Sequence, residues 1–188
     1  MDGADDGGAA RLVLADGTGR RLARGLEDAY PREGCGLLLG RVEGADRVVE
    51  EARPAPNRWE ARDDRYLVDP ETLRRAVDEE AAGGPRVLGF YHSHPDAEPV
   101  PSSTDRELAW PWYLYLVVPV RDGRAGRGRA WELEEDGDGW VERAVVAGRE
   151  AGPGDGERTA RGADRPRRRG GGPDGSARGP ANADPPEA

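Results

Sequence analysis

The 188-residue chain has one cysteine, one phenylalanine and two histidines, and it contains no lysine, isoleucine or glutamine. A single cysteine permits no intramolecular disulfide, which excludes a disulfide-stabilised scaffold and fits a reducing compartment. No apolar run approaches the roughly 18 to 20 residues of a membrane span. The acidic start Met-Asp-Gly-Ala-Asp-Asp also lacks the basic and apolar regions of a signal peptide. We therefore expect a cytoplasmic protein.

The chain has fewer basic than acidic residues: 28 arginines and 37 acidic residues give a formal net charge of −9 and an isoelectric point near 4.9. An acidic surface repels the phosphates of nucleic acids and of anionic membranes. We expect neither as a partner.

Large apolar residues are missing from the C-terminal part of the chain. From Gly148 to Ala188 there is no Val, Leu, Met, Phe, Tyr or Trp, so this segment cannot bury enough surface to order itself. The total length predicts one domain. We predict a flexible arm at residues 1–10, one domain at residues 11–147 and a disordered tail, rich in Gly, Pro and Arg, at residues 148–188.

Within the predicted domain, short apolar runs alternate with segments of helical periodicity. Helices are predicted at residues 20–30 and 70–82, with a brief third helix at Asp105. Thr18 or a neighbour is expected to cap the first helix, and Asp69 the second. Strands are predicted at residues 11–15, 35–42, 47–53, 66–68, 86–91, 112–120, 129–135 and 140–146. The pattern indicates an α/β fold with a mixed central sheet flanked by helices.

Both histidines follow the buried strand that ends at Tyr91, in the sequence His92-Ser93-His94-Pro95. Residues two apart on a strand point to the same face, so the two imidazoles can converge. Prolines then force a loop, and Ser-Ser-Thr-Asp opens a helix that delivers Asp105 on its first turn. Two imidazoles and one carboxylate are ligands that zinc takes, and three protein ligands leave a fourth position for water. The pattern predicts metal-assisted hydrolysis.

The two histidines and the carboxylate are compatible with more than one kind of site. A His-x-His pair alone is more often solvated at the end of a strand, and two histidines with one carboxylate also suit iron. A zinc deaminase is excluded because the chain has no Pro-Cys-x-x-Cys, and a structural zinc site would need several thiolates. Cys35 is expected to be a small core residue and not a nucleophile.

The spacing His-x-His-Pro, six residues, Ser-Ser-x-Asp resembles the JAMM motif of the MPN-domain zinc metalloproteases, the isopeptidases that cut next to ubiquitin-like proteins. The resemblance makes His92, His94 and Asp105 the ligands of one zinc ion per chain. Ser102 falls on the family's serine, whose hydroxyl helps to hold the oxyanion. The resemblance covers roughly residues 12–146 and implies a three-layer fold.

The family also uses an upstream glutamate that takes a proton from the attacking water and returns it to the leaving amine. Glu33, in Tyr30-Pro31-Arg32-Glu33-Gly34-Cys35-Gly36, matches this position in the short prokaryotic members. Asn57 resembles an asparagine that recurs in those members. It is expected either to bond nearby backbone in a turn, which is the simpler role, or to orient the substrate backbone.

By this resemblance, the chain is a zinc-dependent peptidase or isopeptidase of the short prokaryotic JAMM type. Its expected substrate is a ubiquitin-like or sulfur-carrier protein with a Gly-Gly end, whose tail could add as a strand beside the site. The rival is a non-catalytic MPN scaffold, whose members lack part of the ligand set. Asp96 and Glu98 are expected to be solvated loop carboxylates, and Ser103 and Thr104 to cap the helix that carries Asp105.

Overall fold

The computed structural model of the protein describes residues 10–59 and 66–147, in which strands and helices alternate along the chain. The helices are α1 (Thr18–Ala29), α2 (Pro70–Ala81) and α3 (Ser103–Leu108). The strands are β1 (Leu12–Leu14), β2 (Cys35–Glu43), β3 (Asp46–Ala55), β4 (Arg86–Pro95), β5 (Leu114–Arg121), β6 (Arg124–Ala125), β7 (Arg129–Leu133), β8 (Trp140–Arg143) and β9 (Val145–Ala147).

The strands form one mixed sheet in the order β8-β7-β5-β4-β2-β3-β1-β9, with β6 paired to β5. Strands β8 and β9 stand at opposite ends of this order, yet only Ala144 separates them in sequence. Two residues span at most about 7 Å, so the end of β8 and the start of β9 lie within that distance of each other. The sheet must therefore curve to bring these two strands together. The backbone N–H of Leu12 in β1 donates to the carbonyl of Ala144 at 2.8 Å.

Helices cover both faces of this sheet. On one face Leu22 and Leu26 of α1 pack into a cluster that includes Leu38 and Tyr91. On the other face Ala76 of α2 packs with apolar side chains of the central strands, among them Leu37, Phe90, Tyr115 and Trp131. Successive side chains of a strand point to opposite faces, which is why neighbours in β4 enter different clusters. The predicted α/β architecture with a mixed, helix-flanked sheet is confirmed.

Strand β4 positions the histidines. It lies between β2, antiparallel to it, and β5, parallel to it, and His92 pairs with Cys35 on one side and Val117 on the other. The backbone N–H of Ser93 donates to the carbonyl of Gly34, and the N–H of Gly34 donates to Ser93 Oγ, both at 2.9 Å. These bonds hold the residue before Gly34, which is Glu33, next to the strand that carries the histidines.

The cap of α1 falls on a neighbour of Thr18, as expected: Gly17, with φ of 71°, occupies the cap position without a side-chain bond, and the buried Thr18 hydroxyl donates to the Glu50 carbonyl. Other local predictions are wrong. Residues 66–68 form no strand, because only Val68 makes a bridge, to Asn57. Strand β5 begins at Leu114 and not at Trp112, which has φ of 77° and is 74% exposed in the turn after Pro111.

All described residues belong to one compact unit, Met1–Gly152. The predicted arm, apart from Ala10, and the predicted tail lie outside the described residues, so the domain boundaries at 11 and 147 stay a prediction. None of the helices in the described ranges has the length and apolar character needed to cross a bilayer.

Candidate metal centre

The side chains of His92, His94 and Asp105 meet at the C-terminal end of β4. Strand geometry puts both imidazoles on one face, and α3 brings the carboxylate from the side. The ligand atoms of the three residues all lie within 4.8 Å of one another. The two histidine Nε2 atoms are 3.1 Å apart. Their distances to the nearest Asp105 oxygens are 3.4 Å from His92 and 3.7 Å from His94.

These distances suit a small divalent cation. Zinc bonds to nitrogen and oxygen are about 2.0 to 2.2 Å, so two ligand atoms at corners of a zinc tetrahedron are about 3.3 to 3.6 Å apart. The three observed separations bracket that range. Two ring nitrogens and an ionised carboxylate also face one another, so the space between them favours a positively charged ion. The residues therefore fit a metal ion of the zinc type.

The protonation states of His92 and Asp105 agree with this fit. Burial lowers the pKa of His92 to about 3, which leaves it neutral near pH 7. Burial also opposes ionisation of Asp105, but hydrogen bonds from His94 and Ser102 and the nearby His92 hold its pKa well below the usual value. Burial opposes protonation of His94 as well, yet Asp105 and the Glu98 carbonyl raise its pKa. A neutral imidazole and a carboxylate are the forms that bind metal. The electrostatic attraction from Asp105 that favours a proton on His94 also favours a metal cation at the same place.

The two imidazoles are oriented by different means. His94 Nδ1 lies 2.8 Å from the Glu98 carbonyl oxygen, a bond in which Nδ1–H donates and Nε2 keeps its lone pair for a metal. His92 Nδ1 is buried and has no hydrogen-bond partner within the described ranges. The ring of Tyr66 instead stacks on the His92 imidazole, with centroids 4.1 Å apart and planes 20° apart. No feature of the sequence identified this contact.

Asp105 is held by the residue that caps its helix. The N–H and Oγ of Ser102 each lie 2.6 Å from Asp105 Oδ2, and Asp105 N–H donates to Ser102 Oγ at 3.1 Å. This reciprocal capping box shows that the capping role expected of Ser103 and Thr104 was wrong: Ser102 occupies the position before the first helical turn. Since a hydroxyl has one proton, Ser102 must redirect it from Asp105 to bind any other oxygen.

Glu33 precedes β2 and is only 8% exposed. It lines one cavity together with Ser102 and Asp105. The side-chain N–H of Asn57 donates to the Glu33 carbonyl at 3.1 Å, while its oxygen accepts from the backbone N–H of Trp59 and Leu67, both at 3.0 Å. The simpler expectation for Asn57, a residue that bonds nearby backbone, is confirmed, and the structure adds its bond to Glu33.

The remaining polar candidates are engaged elsewhere. Asp96 accepts from the Tyr30 hydroxyl at 2.9 Å, and the Glu98 side chain pairs with Arg121. Cys35 is buried, as expected, with its thiol directed at the Ala55 carbonyl. Burial raises the pKa of this thiol to about 12, which makes it a poor nucleophile. Trp131, unforeseen from the sequence, donates from Nε1 to the Pro99 carbonyl at 3.0 Å and fixes the loop between β4 and α3.

The chain is similar to several known proteins. The model of a family described as prokaryotic homologues of the JAB domain matches residues 17–134. A desampylase of Haloferax volcanii is 42% identical over 120 residues, covering 61% of this chain and 84% of the relative. A Thermus thermophilus protein named "Probable TtuB-protein conjugate cleaving protease" is 38% identical over 94 residues, covering 48% of this chain and 60% of the relative.

Solved structures share the fold. The solution structure of a protein from Desulfitobacterium hafniense matches with a TM-score of 0.65 and 28% sequence identity, covering 74% of this chain and 94% of that one. A solution structure from Salinibacter ruber matches with a TM-score of 0.55 and 35% identity over the same fractions of both chains.

Proposed function

Because the chain belongs to the family of prokaryotic homologues of the JAB domain, we propose that it is a zinc-dependent peptidase or isopeptidase. The proposed bond lies at the Gly-Gly end of a ubiquitin-like or sulfur-carrier protein. The observation that carries this proposal is the convergence of His92, His94 and Asp105 within 4.8 Å of one another, in a site whose cavity is also lined by Glu33 and Ser102.

One metal ion per chain would be held by His92 Nε2, His94 Nε2 and the carboxylate of Asp105. Bound zinc lowers the pKa of a water molecule to near neutral and polarises a carbonyl oxygen. Both imidazoles are already oriented, that of His92 by burial and that of His94 by its bond to the Glu98 carbonyl. Metal binding would therefore cost little side-chain entropy. Iron stays a formal alternative for this ligand set.

Glu33 is proposed to act as the general base and then the general acid. Its carboxylate would accept a proton from the attacking water and return it to the nitrogen of the leaving amine. The Asn57 bond to its carbonyl and the two bonds between Gly34 and Ser93 fix the backbone from both sides. A fixed base loses little entropy in reaching the reactive geometry.

Ser102 is proposed to stabilise the oxyanion that develops as the scissile carbonyl is attacked. Its hydroxyl donates to Asp105 in the structure, so this role requires the proton to turn toward the substrate oxygen. The N–H of Ser102 remains bonded to Asp105 meanwhile, which keeps the carboxylate in place when the hydroxyl turns.

The relatives support the substrate class. The names of the Haloferax and Thermus relatives describe a desampylase and a protease that cleaves TtuB–protein conjugates, and we carry that type of substrate over to this chain as a proposal. A cytoplasmic location stays our expectation. The rival, a non-catalytic scaffold of the same fold, is disfavoured because the complete set of five motif residues is present.

Hydrolysis of a conjugate tests the proposal. The substrate is a Gly-Gly-ended carrier of the same organism, fused through its C terminus to a reporter protein, and cleavage is followed by mass spectrometry. We expect Glu33→Gln to lose activity by at least about a hundredfold, whereas Glu43→Gln, an exposed residue paired with Arg41, keeps it. Chelation should abolish activity and zinc should restore it. Activity that survives both Glu33→Gln and chelation would refute the mechanism.

A further inference from the structure

A cavity of about 290 Å³ is lined both by proposed catalytic residues and by a larger set of apolar side chains. Its polar lining includes Glu33, Ser102, Asp105 and Glu107. Large apolar and aromatic side chains that the proposed chemistry does not use also line it, namely Leu67, Leu73, Phe90, Leu108, Trp110 and Tyr115.

The apolar lining consists of buried side chains, called the floor, and exposed side chains, called the rim. Phe90 and Tyr115 on the floor are 6% and 4% exposed, whereas Leu67, Leu108 and Trp110 on the rim are 41%, 47% and 51% exposed. The floor offers no unsatisfied polar group, because the Tyr115 hydroxyl accepts from the Trp110 N–H at 2.7 Å and donates to the Trp110 carbonyl at 3.2 Å. A ligand that covers large apolar side chains at the rim of a concave site removes their surface from water, which makes the free energy of binding more favourable.

Size and charge restrict what can enter. Pockets that enclose small-molecule ligands have volumes of about 300 to 1,000 Å³, so this cavity is at the lower limit of that range and is large enough for a bulky side chain. Glu107 also lines it, which adds a negative charge near its apolar walls and disfavours an acidic side chain. The matching occupant is therefore one uncharged, apolar side chain of a polypeptide substrate.

The catalytic wall indicates which side of the scissile bond supplies that side chain. The two final residues of a Gly-Gly end have no side chains, so they cannot fill a cavity that begins at the catalytic groups. Glu33, which forms part of the wall, is the group proposed to protonate the leaving amine. We propose, on the basis of the proposed function and for substrates joined by a peptide bond, that this cavity is a specificity pocket for the apolar side chain of the residue whose backbone amine is released.

Fusions that differ at one position test the pocket. The same carrier, ending in Gly-Gly, is followed by Leu, Phe, Gly or Asp and then by a constant reporter, and kcat/KM is measured for each. We expect the Leu and Phe fusions to be cleaved at least about tenfold more efficiently than the Asp fusion. Equal efficiencies across the four fusions would overturn the pocket while leaving the proposed function intact. A wild-type enzyme that cleaves none of them would overturn both.

Matched variants assign the preference to the cavity. Leu108→Asp places a charge on the rim, and Val77→Asp places the same charge on α2 at a residue that is equally exposed, 46% against 47%, but does not line the cavity. We expect Leu108→Asp to reduce the preference for Leu and Phe to about threefold or less and Val77→Asp to leave it unchanged. Leu67→Asp, on another part of the rim, repeats the test if Leu108→Asp does not fold.

Two outcomes contradict the assignment. The first is an equal effect of Val77→Asp and Leu108→Asp. The second is a preference that ignores the leaving residue and follows instead the residue that precedes Gly-Gly, because the pocket would then serve the carrier side of the bond.

Discussion

The ring of Tyr66 lies nearly parallel to the imidazole of His92, with centroids 4.1 Å apart. His92 Nδ1 has no hydrogen-bond partner in the ranges that the structure describes, so the stack, and not a bond to Nδ1, orients this imidazole. We therefore predict that Tyr66 is a positioning residue, which would act on the proposed metal through His92.

Replacing Tyr66 by leucine should loosen the His92 ring. We expect Tyr66→Leu to weaken zinc binding by about ten- to a hundredfold, the usual cost of losing a group that orients a ligand, whereas Tyr66→Phe keeps the stack and most of the affinity. Competition with a chelator measures the affinity. Tyr113→Leu is the control, because the ring of Tyr113 contacts Phe90 and Trp110. Equal losses in Tyr66→Leu and Tyr113→Leu would show a general packing effect.

Asn57 is predicted to set the position of Glu33. Asn57→Asp keeps an oxygen for the N–H groups of Trp59 and Leu67 but replaces the donor that reaches the Glu33 carbonyl. We expect kcat to fall by about ten- to a hundredfold because the base is displaced, while zinc content, measured by elemental analysis, stays at the wild-type value. Loss of zinc in parallel with kcat would contradict a role through Glu33.

Ser102 is predicted to have two separable roles. Ser102→Ala removes the helix cap and should cost about 1 kcal/mol in the free energy of unfolding, whereas glycine at a cap position costs only a few tenths. Both variants lack the hydroxyl, so we expect kcat to fall by about a hundredfold in each. Urea unfolding and steady-state kinetics separate the two effects. A kcat that tracks stability across the two variants would mean that Ser102 is only a cap.

Acid stability should depend on Asp69, which caps α2. Hydrogen bonds from Arg58 and from Thr72 lower the pKa of its carboxyl below the usual 3.8. A carboxylate whose pKa is lower in the folded state contributes stability above its unfolded pKa, and this contribution is lost as the pH falls through the folded value. We expect Asp69→Asn, which can still cap, to be less stable at pH 7 and to lose less stability than wild type between pH 5 and pH 2. Parallel curves of urea midpoint against pH would contradict this.

Local patterns predicted most of the fold. The hairpin of β2 and β3, helices α1 and α2, and strand β4 with its two histidines follow from apolar periodicity and turn residues, and each agrees with the structure to within a few residues. The failures are also local. The turn at Trp112 delayed the start of β5, because the positive φ of this single residue decided the boundary. The separate pairing of β9 with β1 depends on how the whole sheet curls.

The sequence by itself determined the residues on which the proposed chemistry depends: two histidines two residues apart on a strand, a carboxylate on the next helix turn, and a glutamate at the start of the preceding hairpin. Strand periodicity is a property of the backbone, so these positions can be predicted from short segments. Only the tertiary structure decided that Tyr66 stacks on His92, that Asn57 bonds to Glu33 and that a largely apolar cavity adjoins the proposed catalytic groups. These contacts join segments more than twenty residues apart, and their partners are chosen by the curvature of the sheet and the packing of the helices, which no short stretch of sequence encodes.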